Sequence, residues 1–158
     1  MIETFNKILK NKSFEKVGSW TVIQRKNFLN EVIRSHDLMG LTFAHLIFLD
    51  CNFIDIDFRH RIFISCDFTN CKIFQSDLVR ANFMESNFTD CHFDIVNMAG
   101  TVFPECKFIQ PKFHKVLFRE SVTLFKSKIW NSINFFDLNS VSKIIDDLKN
   151  KSYLCLEN

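Results

Sequence analysis

The chain has 158 residues and a hydrophobic fraction of 47%, which is enough for one domain with a buried core and excludes intrinsic disorder. The formal net charge is +2, but the charge is uneven: residues 1–35 carry seven basic and three acidic side chains, whereas residues 36–120 carry eight and eleven. We therefore expect a molecule that is electrically polar from end to end rather than one with a single dense field.

The N-terminal segment gives no sign of export or membrane insertion. Its first residues, MIETFNKILKNKSF, place charges every few positions, which is not the pattern of a signal peptide. No apolar run in the chain approaches the ~18 residues that a membrane helix requires. We therefore expect a soluble, cytoplasmic protein without a membrane partner.

Two helices are predicted ahead of the main part of the chain. Apolar spacing indicates a short helix around residues 5–9. Thr21 followed by Gln24 has the form of a capping box, which predicts a second helix over residues 22–35. Its apolar residues would lie on one face: Val22, Leu29, Val32 and Ile33. Residues 1–35 are thus predicted to form a helical N-terminal cap.

A large apolar residue then recurs at every fifth position. The series has seventeen uninterrupted members: Leu38, Phe43, Phe48, Phe53, Phe58, Phe63, Phe68, Ile73, Leu78, Phe83, Phe88, Phe93, Met98, Phe103, Phe108, Phe113 and Phe118. It stops at Thr123. A period of five matches neither the 3.6 residues of a helix nor the two of a strand, so a different repeating structure is required.

The residues around each member of the series indicate what that structure is. The residue two positions earlier is mostly small or apolar, while the other three positions of each five carry nearly all of the polar side chains. Two inward residues separated by one outward residue make a short strand, and the remaining two residues must turn the chain. A chain that repeats a short strand and a corner winds into a coil whose turns pair as parallel strands.

Several five-residue units, CDFTN, SDLVR, ANFME, SNFTD and CHFDI, resemble the consensus of the pentapeptide-repeat family as they stand. That consensus is a small residue, Asp or Asn, Leu or Phe, and two polar residues. The resemblance implies a right-handed quadrilateral parallel β-helix with four units, and hence twenty residues, per coil. Seventeen units make a little over four coils, which we assign to residues 36–120.

Five of the six cysteines lie two residues before a member of the series: Cys51, Cys66, Cys71, Cys91 and Cys106. This placement predicts buried, reduced thiols rather than a disulfide framework. Cys51, Cys71 and Cys91 share one inward column, and His92 would be the fourth ligand of a metal bound there. Because His92 points outward by its phase, we predict neither a metal site nor any other cofactor. Arg61 occupies an inward phase, where an unpaired charge is costly, so we expect a distorted corner that lets the guanidinium escape. A surface loop that contacts a partner is the alternative at Arg61.

Because residues twenty positions apart lie above one another, each outer face can be described as columns. One face carries Asp37, Asp57, Asp77 and Asn97. Carboxylates ~5 Å apart have the separation found in retaining glycosidases, so a β-helical enzyme acting on polysaccharides is one alternative. A flat face, however, offers no cleft to raise a pKa or exclude water, and we predict that the protein is not an enzyme.

A second face presents apolar side chains to the outside: Ile62, Ile64, Met84, Val102 and Pro104. Such a group on one flat face is a candidate contact surface for a protein partner, and the alternative is that a terminal segment of the same chain covers it. A third face is basic at its far end, where it carries Lys72, His92, Lys112, His114 and Lys115. We nevertheless predict no direct contact with nucleic acid.

Residues 121–158 are predicted to form a helical C-terminal cap, because a solenoid exposes unpaired strand edges at its ends. One apolar stripe contains Ile129, Ile133 and Phe136, and a helix starting at residue 139 or 140 would align Val141, Ile144, Ile145 and Leu148. The family resemblance implies a second use for this element, which is to pair two rods end to end in a homodimer.

The sequence therefore predicts a non-catalytic scaffold that binds a protein partner through one wall of the rod. The candidate residues are the apolar set of the second face together with Asp37, Asp57, Asp77 and Arg61. The family resemblance implies an alternative, because some bacterial members imitate B-form DNA, bind gyrase or topoisomerase IV, and protect these enzymes from toxins or quinolones. A DNA mimic should carry a dense negative field, and a net charge of −3 over residues 36–120 is weak for that role.

Overall fold

The computed structural model describes residues 4–34, 38–117, 127–130, 134–135 and 154–157. Within them the chain forms a β-solenoid in which short strands stack into three sheets, with one seven-residue helix near the N-terminus. The coils that contain residues 20–117 number five. The predicted β-helix is therefore confirmed.

The solenoid has four walls, each built from the same side of successive coils. Wall A contains β1 (Glu15–Val17), β2 (Trp20–Gln24), β5 (Leu41–Ala44), β8 (Ile62–Ile64) and β11 (Asn82–Met84). Wall B contains β3 (Asn27–Leu29), β6 (Ile47–Leu49), β9 (Asp67–Thr69), β12 (Asn87–Thr89), β14 (Lys107–Ile109), β16 (Ser127–Trp130) and β18 (Leu154–Glu157). Wall C contains β4 (Val32–Arg34), β7 (Asn52–Ile54), β10 (Lys72–Phe74), β13 (His92–Asp94), β15 (Lys112–His114) and β17 (Asn134–Phe135). Wall D is held by single bridges that link Asp57, Asp77, Asn97 and Leu117.

The strand register gives the length of one coil. On wall A, Phe43 pairs with Phe63 and Phe63 with Phe83, so neighbouring strands are twenty residues apart. The same offset relates Phe68 to Phe88 on wall B. All of these pairs are parallel; the one antiparallel pair described joins β1 to β2 at the N-terminal edge. The predicted coil of four five-residue units is confirmed by this register.

Phenylalanine rings stacked along the axis fill the interior. In one column the ring centroids of Phe43 and Phe63 lie 4.7 Å apart and those of Phe63 and Phe83 lie 4.5 Å apart, with interplanar angles of 18° and 8°. A second column runs beside it on wall B, and rings of the two columns meet edge to face, as Phe83 and Phe88 do at 5.4 Å. Sixteen of the seventeen predicted inward residues are buried, and the seventeenth, Phe118, lies outside the described residues.

Each corner places one residue in the left-handed region of backbone space. This residue follows the inward residue by two positions, as shown by Asp50, Asn70 and Asp90, with φ values of 55°, 50° and 53°. The corners are themselves hydrogen-bonded from coil to coil, since the N–H of Asp50 donates to the carbonyl of Thr69 at 3.0 Å. Asn and Asp tolerate this conformation better than other L-residues, which explains why they recur at these corners.

The helix predicted over residues 22–35 is wrong. Strands β2, β3 and β4 occupy this segment as far as residue 34 and form an additional first coil, so the solenoid begins before residue 36. Ile23, Phe28 and Ile33 continue the inward series toward the N-terminus and are buried. The error arose because the residues two positions before Phe28 and Ile33 are charged, which breaks the small-residue half of the repeat.

Helix α1 (Phe5–Asn11) closes the N-terminal end, as the short first helix was predicted to do. The Phe5 ring packs edge to face on Phe28 and Phe48 at 5.1 and 5.4 Å. Glu31, one of the two charged residues that interrupt the repeat, accepts a 2.9 Å hydrogen bond from the N–H of Phe5. Its carboxylate thus satisfies a backbone donor in the first turn of α1, which no residue of the helix itself can reach.

The C-terminal segment differs from the predicted helical cap where it is described. Strand β16 continues wall B and places Ile129 beside Phe108, while β17 continues wall C. A third strand, β18, pairs with β16. The remaining residues of the predicted C-terminal element lie outside the described residues: Ile133, Phe136, Val141, Ile144, Ile145 and Leu148.

The stacked rings generate a first prediction. Phe88 is buried between Phe68 and Phe108, each with a centroid 4.9 Å away, so Phe88→Ala removes two stacking partners and leaves a cavity. We expect a loss of about 3–5 kcal/mol in the free energy of unfolding, measured by denaturant titration. Phe74→Ala is the matched control, because Phe74 faces outward on wall C, and it should cost about 1 kcal/mol or less. Equal losses in the two variants would contradict the inward assignment.

The corners generate a second prediction. Ile95 has a φ of 58° and is 42% exposed, so a β-branched side chain occupies a left-handed position. That conformation costs an L-residue about 1–2 kcal/mol, and Ile95→Asn removes most of this cost while losing a partly exposed apolar contact. We expect a net gain of about 0.5 kcal/mol in unfolding free energy. Ile109→Asn, on a wall B strand with ordinary backbone geometry, should instead lose stability.

Candidate functional site

Wall A differs from the other walls in having no charged residue at the outward positions of its coils. Because side chains alternate along a strand, the outward positions are those on either side of the inward Ile23, Phe43, Phe63, Phe83 and Phe103. They are Val22, Gln24, Thr42, Ala44, Ile62, Ile64, Asn82, Met84, Val102 and Pro104. Val22, Thr42 and Ala44 are buried, so the accessible part of the wall lies mainly on the third to fifth coils. None of these ten residues is charged, although 24% of the chain is Asp, Glu, Lys or Arg.

The structure brings the five predicted apolar residues together on this wall. Ile64 is in register with Met84, and Asn82 pairs with Ile62 on one side and bridges Val102 on the other. Met84 is 38% exposed and the other four are half-buried. The five side chains thus form one contiguous surface, and their role in binding a partner stays a prediction.

Polar and charged corners border wall A. On the side toward wall B, the corner column contains Glu85 and Glu105, and the Ser65 hydroxyl donates to the Glu85 carboxylate at 3.3 Å. On the side toward wall D the column contains His60 and Arg80. The wall therefore has an uncharged centre with a charged margin, which is the arrangement typical of protein interfaces.

Wall D carries the predicted acidic column, but its charge is partly neutralised. The Arg59 guanidinium donates to both oxygens of Asp57, at 2.9 and 2.6 Å, and its Nε lies 4.0 Å from the Asp77 carboxylate. These hydrogen bonds hold the pKa of Asp57 below its usual range. The column continues with Asn97 and Leu117. Asp37, the remaining predicted member, lies outside the described residues.

Arg61 leaves the interior without distorting the corner. Its N–H donates to the carbonyl of Phe58 at 3.0 Å, as the N–H of Ala81 does to Leu78 at 2.9 Å one coil later. The guanidinium donates to the carbonyls of Arg59 and Leu38, both at 2.9 Å. The predicted escape is confirmed, whereas the predicted distortion and the alternative of a loop are wrong, because the backbone follows the regular coil.

The five cysteines of the repeat are buried and free, as predicted. Each thiol lies within hydrogen-bond distance of a carbonyl of the preceding coil, for example Cys91 Sγ and the oxygen of Phe68 at 3.3 Å. Burial raises the pKa of the Cys66 thiol to about 12, and that of Cys106 to about 12. The thiols of Cys66 and Cys106 therefore stay protonated near neutral pH and are poor nucleophiles. No group of three or more potential metal ligands occurs in the described part of the chain.

Wall C carries the predicted basic residues, but not as an unbroken positive stripe. Asp94 lies among them, 2.7 Å from His114 Nδ1 and 3.8 Å from the Lys72 ammonium. Burial, with the charges of Lys112 and Lys72, lowers the pKa of His92. His92 is therefore neutral near pH 7, which reduces the positive charge of the wall.

Two surface features at the N-terminal end were not predicted from the sequence. Leu29, Ile47 and Leu49 form an exposed apolar group on the first two coils of wall B, with Leu29 58% exposed. A groove also opens between α1 and the first coils. Both features include residues of the first coil, which was wrongly predicted as a helix over residues 22–35. Extending the inward series back to Ile23 would have predicted this coil and its outward residues.

Neither a membrane-crossing helix nor the predicted dimer contacts can be traced in the described residues. Among those residues, no helix has the length and apolar character needed to span a bilayer.

Of the residues predicted for dimerisation, Ile129 lies in β16 and pairs within its own chain, and the others lie outside the described residues.

Comparison with known proteins agrees with the repeat geometry. The model of the pentapeptide-repeat family matches residues 51–90 in eight copies, which confirms the predicted resemblance for that segment. No curated protein sequence matches the chain.

Similar solved structures include three pentapeptide-type solenoids at low identity. A trypsin-treated variant of QnrB1, a plasmid-mediated fluoroquinolone resistance protein, is 19% identical over 81% of this chain and 88% of its own, with a TM-score of 0.32. Rfr23, a pentapeptide repeat protein of the cyanobacterium Cyanothece 51142, is 11% identical over 64% and 86%, with a TM-score of 0.29. HetL of Nostoc sp. PCC 7120, involved in regulating heterocyst differentiation, is 10% identical over 82% and 89%, with a TM-score of 0.27. Scores at this level support no transfer of function, so the fold assignment rests on the strand pairing of the chain itself.

Proposed function

We propose that this chain of pentapeptide repeats is a non-catalytic scaffold that binds a protein partner through wall A. One observation carries the proposal: ten outward positions on this wall hold no charged residue, and five of them form a contiguous apolar surface around Ile64 and Met84. An exposed apolar surface of this kind, bordered by polar residues, is typical of a protein-binding site.

The rigidity of the wall supports this role. Ile64 and Met84 each follow an inward ring, Phe63 and Phe83, that is held in a stacked column, and each strand is paired to the next coil through backbone hydrogen bonds. Ile64 and Met84 are therefore fixed before a partner arrives. A preorganised surface loses little conformational entropy on binding, which favours affinity.

The geometry of wall D supports a non-catalytic assignment. A glycosidase needs a carboxyl group with a raised pKa as its general acid, and a cleft that shields the reacting bond. The pKa of Asp57 is instead lowered by Arg59, and the Asp57 side chain is about half exposed on an outer wall. Nothing in this arrangement favours a proton donor near neutral pH.

A DNA-mimicking modulator of gyrase or topoisomerase IV is the second candidate. The in-register stacking of Asp57 and Asp77 on wall D favours it, because a mimic must display regularly spaced negative charge. Arg59 lies between these carboxylates, however, and the column ends in Asn97 and Leu117. Wall A therefore gives the stronger basis for a binding function.

Substitutions on wall A test the main proposal. Ile64→Lys and Met84→Lys each place a positive charge at the centre of the apolar surface, where a bound partner would have to desolvate it. With the tagged protein expressed in its native cells, we expect proteins that co-purify with the wild type to be lost at least tenfold from both variants, as measured by quantitative mass spectrometry.

Thr69→Lys is the matched control, because Thr69 is half-buried and faces outward on wall B. This variant should retain the same partners, and thermal melting should show that all three variants remain folded. Loss of partners from the control as well, or retention by both wall A variants, would contradict the assignment to wall A.

The second candidate has its own test. If wall D imitates DNA, stoichiometric protein should change supercoiling by purified gyrase, and the double variant Asp57→Asn with Asp77→Asn should abolish that change. Because Arg59 neutralises this wall, we expect the wild-type protein to leave supercoiling unaltered and expression of the protein to leave quinolone tolerance within twofold. A supercoiling effect that depends on the two carboxylates would favour the mimic over the wall A scaffold.

A further inference from the structure

A groove of about 660 Å³ lies at the N-terminal end of the solenoid, away from the apolar centre of wall A. It runs between α1 with the turn that follows it, on one side, and the rim of the first two coils, on the other. We call it the cap groove. Its volume falls within the ~300–1,000 Å³ typical of ligand sites, and Met39, 81% exposed at its margin, shows that it is open rather than enclosed.

The charges of the cap groove have one sign. Lys10, Lys12 and Arg34 line it, and no other described lining residue is charged. All three side chains are exposed, and none of them makes an ion pair or side-chain hydrogen bond with the described residues. The nearby carboxylate of Glu31 is already engaged by the backbone of α1. Within the described part of the chain, the groove therefore presents three positive charges that no carboxylate pairs with, and these favour an anionic ligand.

The rest of the lining is largely apolar. Leu9 is buried in the floor, while Val32 and Met39 are exposed along the sides. Met has a flexible, polarizable side chain that adapts to different apolar shapes. A ligand that used only the cations would leave this apolar surface in water, so the complementary ligand carries both carboxylates and apolar groups.

We propose that the cap groove binds a short segment of a partner protein in which acidic and apolar residues are interspersed. The open margin admits a continuous chain, and the mixture of cations and apolar surface matches such a segment on both counts. A nucleic-acid duplex is a poorer match, since its backbone requires an extended row of cations and offers no apolar groups to Leu9, Val32 and Met39.

The cap groove is separate from the apolar centre of wall A, although Leu41 at the start of β5 lines it. Its lining residues belong to α1, its following turn and the rim of the first two coils, whereas the wall A surface centres on the third and fourth coils. Failure of one proposal thus leaves the other standing, and the variants that test them are different.

A peptide-binding measurement with the full-length protein tests the inference. The probe is a fluorescein-labelled ten-residue peptide that alternates Asp or Glu with Leu or Phe, followed by fluorescence anisotropy at low salt. We expect saturable binding that weakens as salt is raised, because screening reduces the attraction between exposed charges. The double variant Lys10→Glu with Arg34→Glu should bind at least tenfold more weakly, and Met39→Ser at least threefold more weakly.

Matched controls separate the groove from general charge. Lys107→Glu with Lys112→Glu makes the same charge change on exposed lysines of walls B and C, and it should alter the affinity less than twofold. A second peptide with Ser in place of Leu and Phe should bind at least tenfold more weakly than the first.

Four outcomes would overturn the proposal. They are absence of saturable binding, equal weakening in the control variant, equal affinity for the Ser-containing peptide, and displacement of the peptide from the wild type by duplex DNA or anionic lipid vesicles at lower concentration than unlabelled peptide. Because Met39 is exposed, Met39→Ser provides a readout that does not depend on the charge-reversed protein staying folded.

Discussion

The stacking of one inward aromatic ring on the ring twenty residues later is the interaction on which the rest of this molecule depends. The separation of 4.5 Å between Phe63 and Phe83 matches the spacing of parallel strands, so rings and backbone repeat along the axis at one interval. A coil with one residue more or fewer would place a ring against the wrong column. The outer walls share this constraint, because each outward strand residue is adjacent in the chain to an inward ring.

The inward series could be predicted from sequence because it is set by burial alone. The residues two positions earlier tolerate more variety, and this is where prediction failed. Glu31 occupies such a position in the first coil, where there is no further coil above it and its carboxylate can reach the backbone of α1. Arg61 occupies another and escapes toward carbonyl groups of the backbone. End coils and escaping side chains depend on neighbours that a local repeat does not encode.

The candidate surfaces were predictable to different degrees, because the repeat fixes the phase of a residue but not the contacts of its side chain. The apolar residues of wall A follow from the phase of the repeat, so Ile62, Ile64 and Met84 could be placed together in advance. The neutralised charge of wall D could not be predicted in the same way. Arg59 is at an outward position, but the repeat does not specify which neighbour its side chain contacts, and its hydrogen bonds to Asp57 depend on side-chain geometry. The cap groove required the position of α1, which lies outside the repeat altogether.

A solenoid of this kind separates stability from recognition. The buried rings and buried thiols hold the coils together, and outward residues contribute less to that core, so wall positions can change chemistry while the coil remains the same. This separation explains how one rod can carry a wall whose outward coil positions are uncharged, an acidic wall partly neutralised by Arg59, and a basic wall interrupted by Asp94. It also explains why the repeat identifies the architecture, whereas the proposed binding function depends on the few outward side chains that differ from wall to wall.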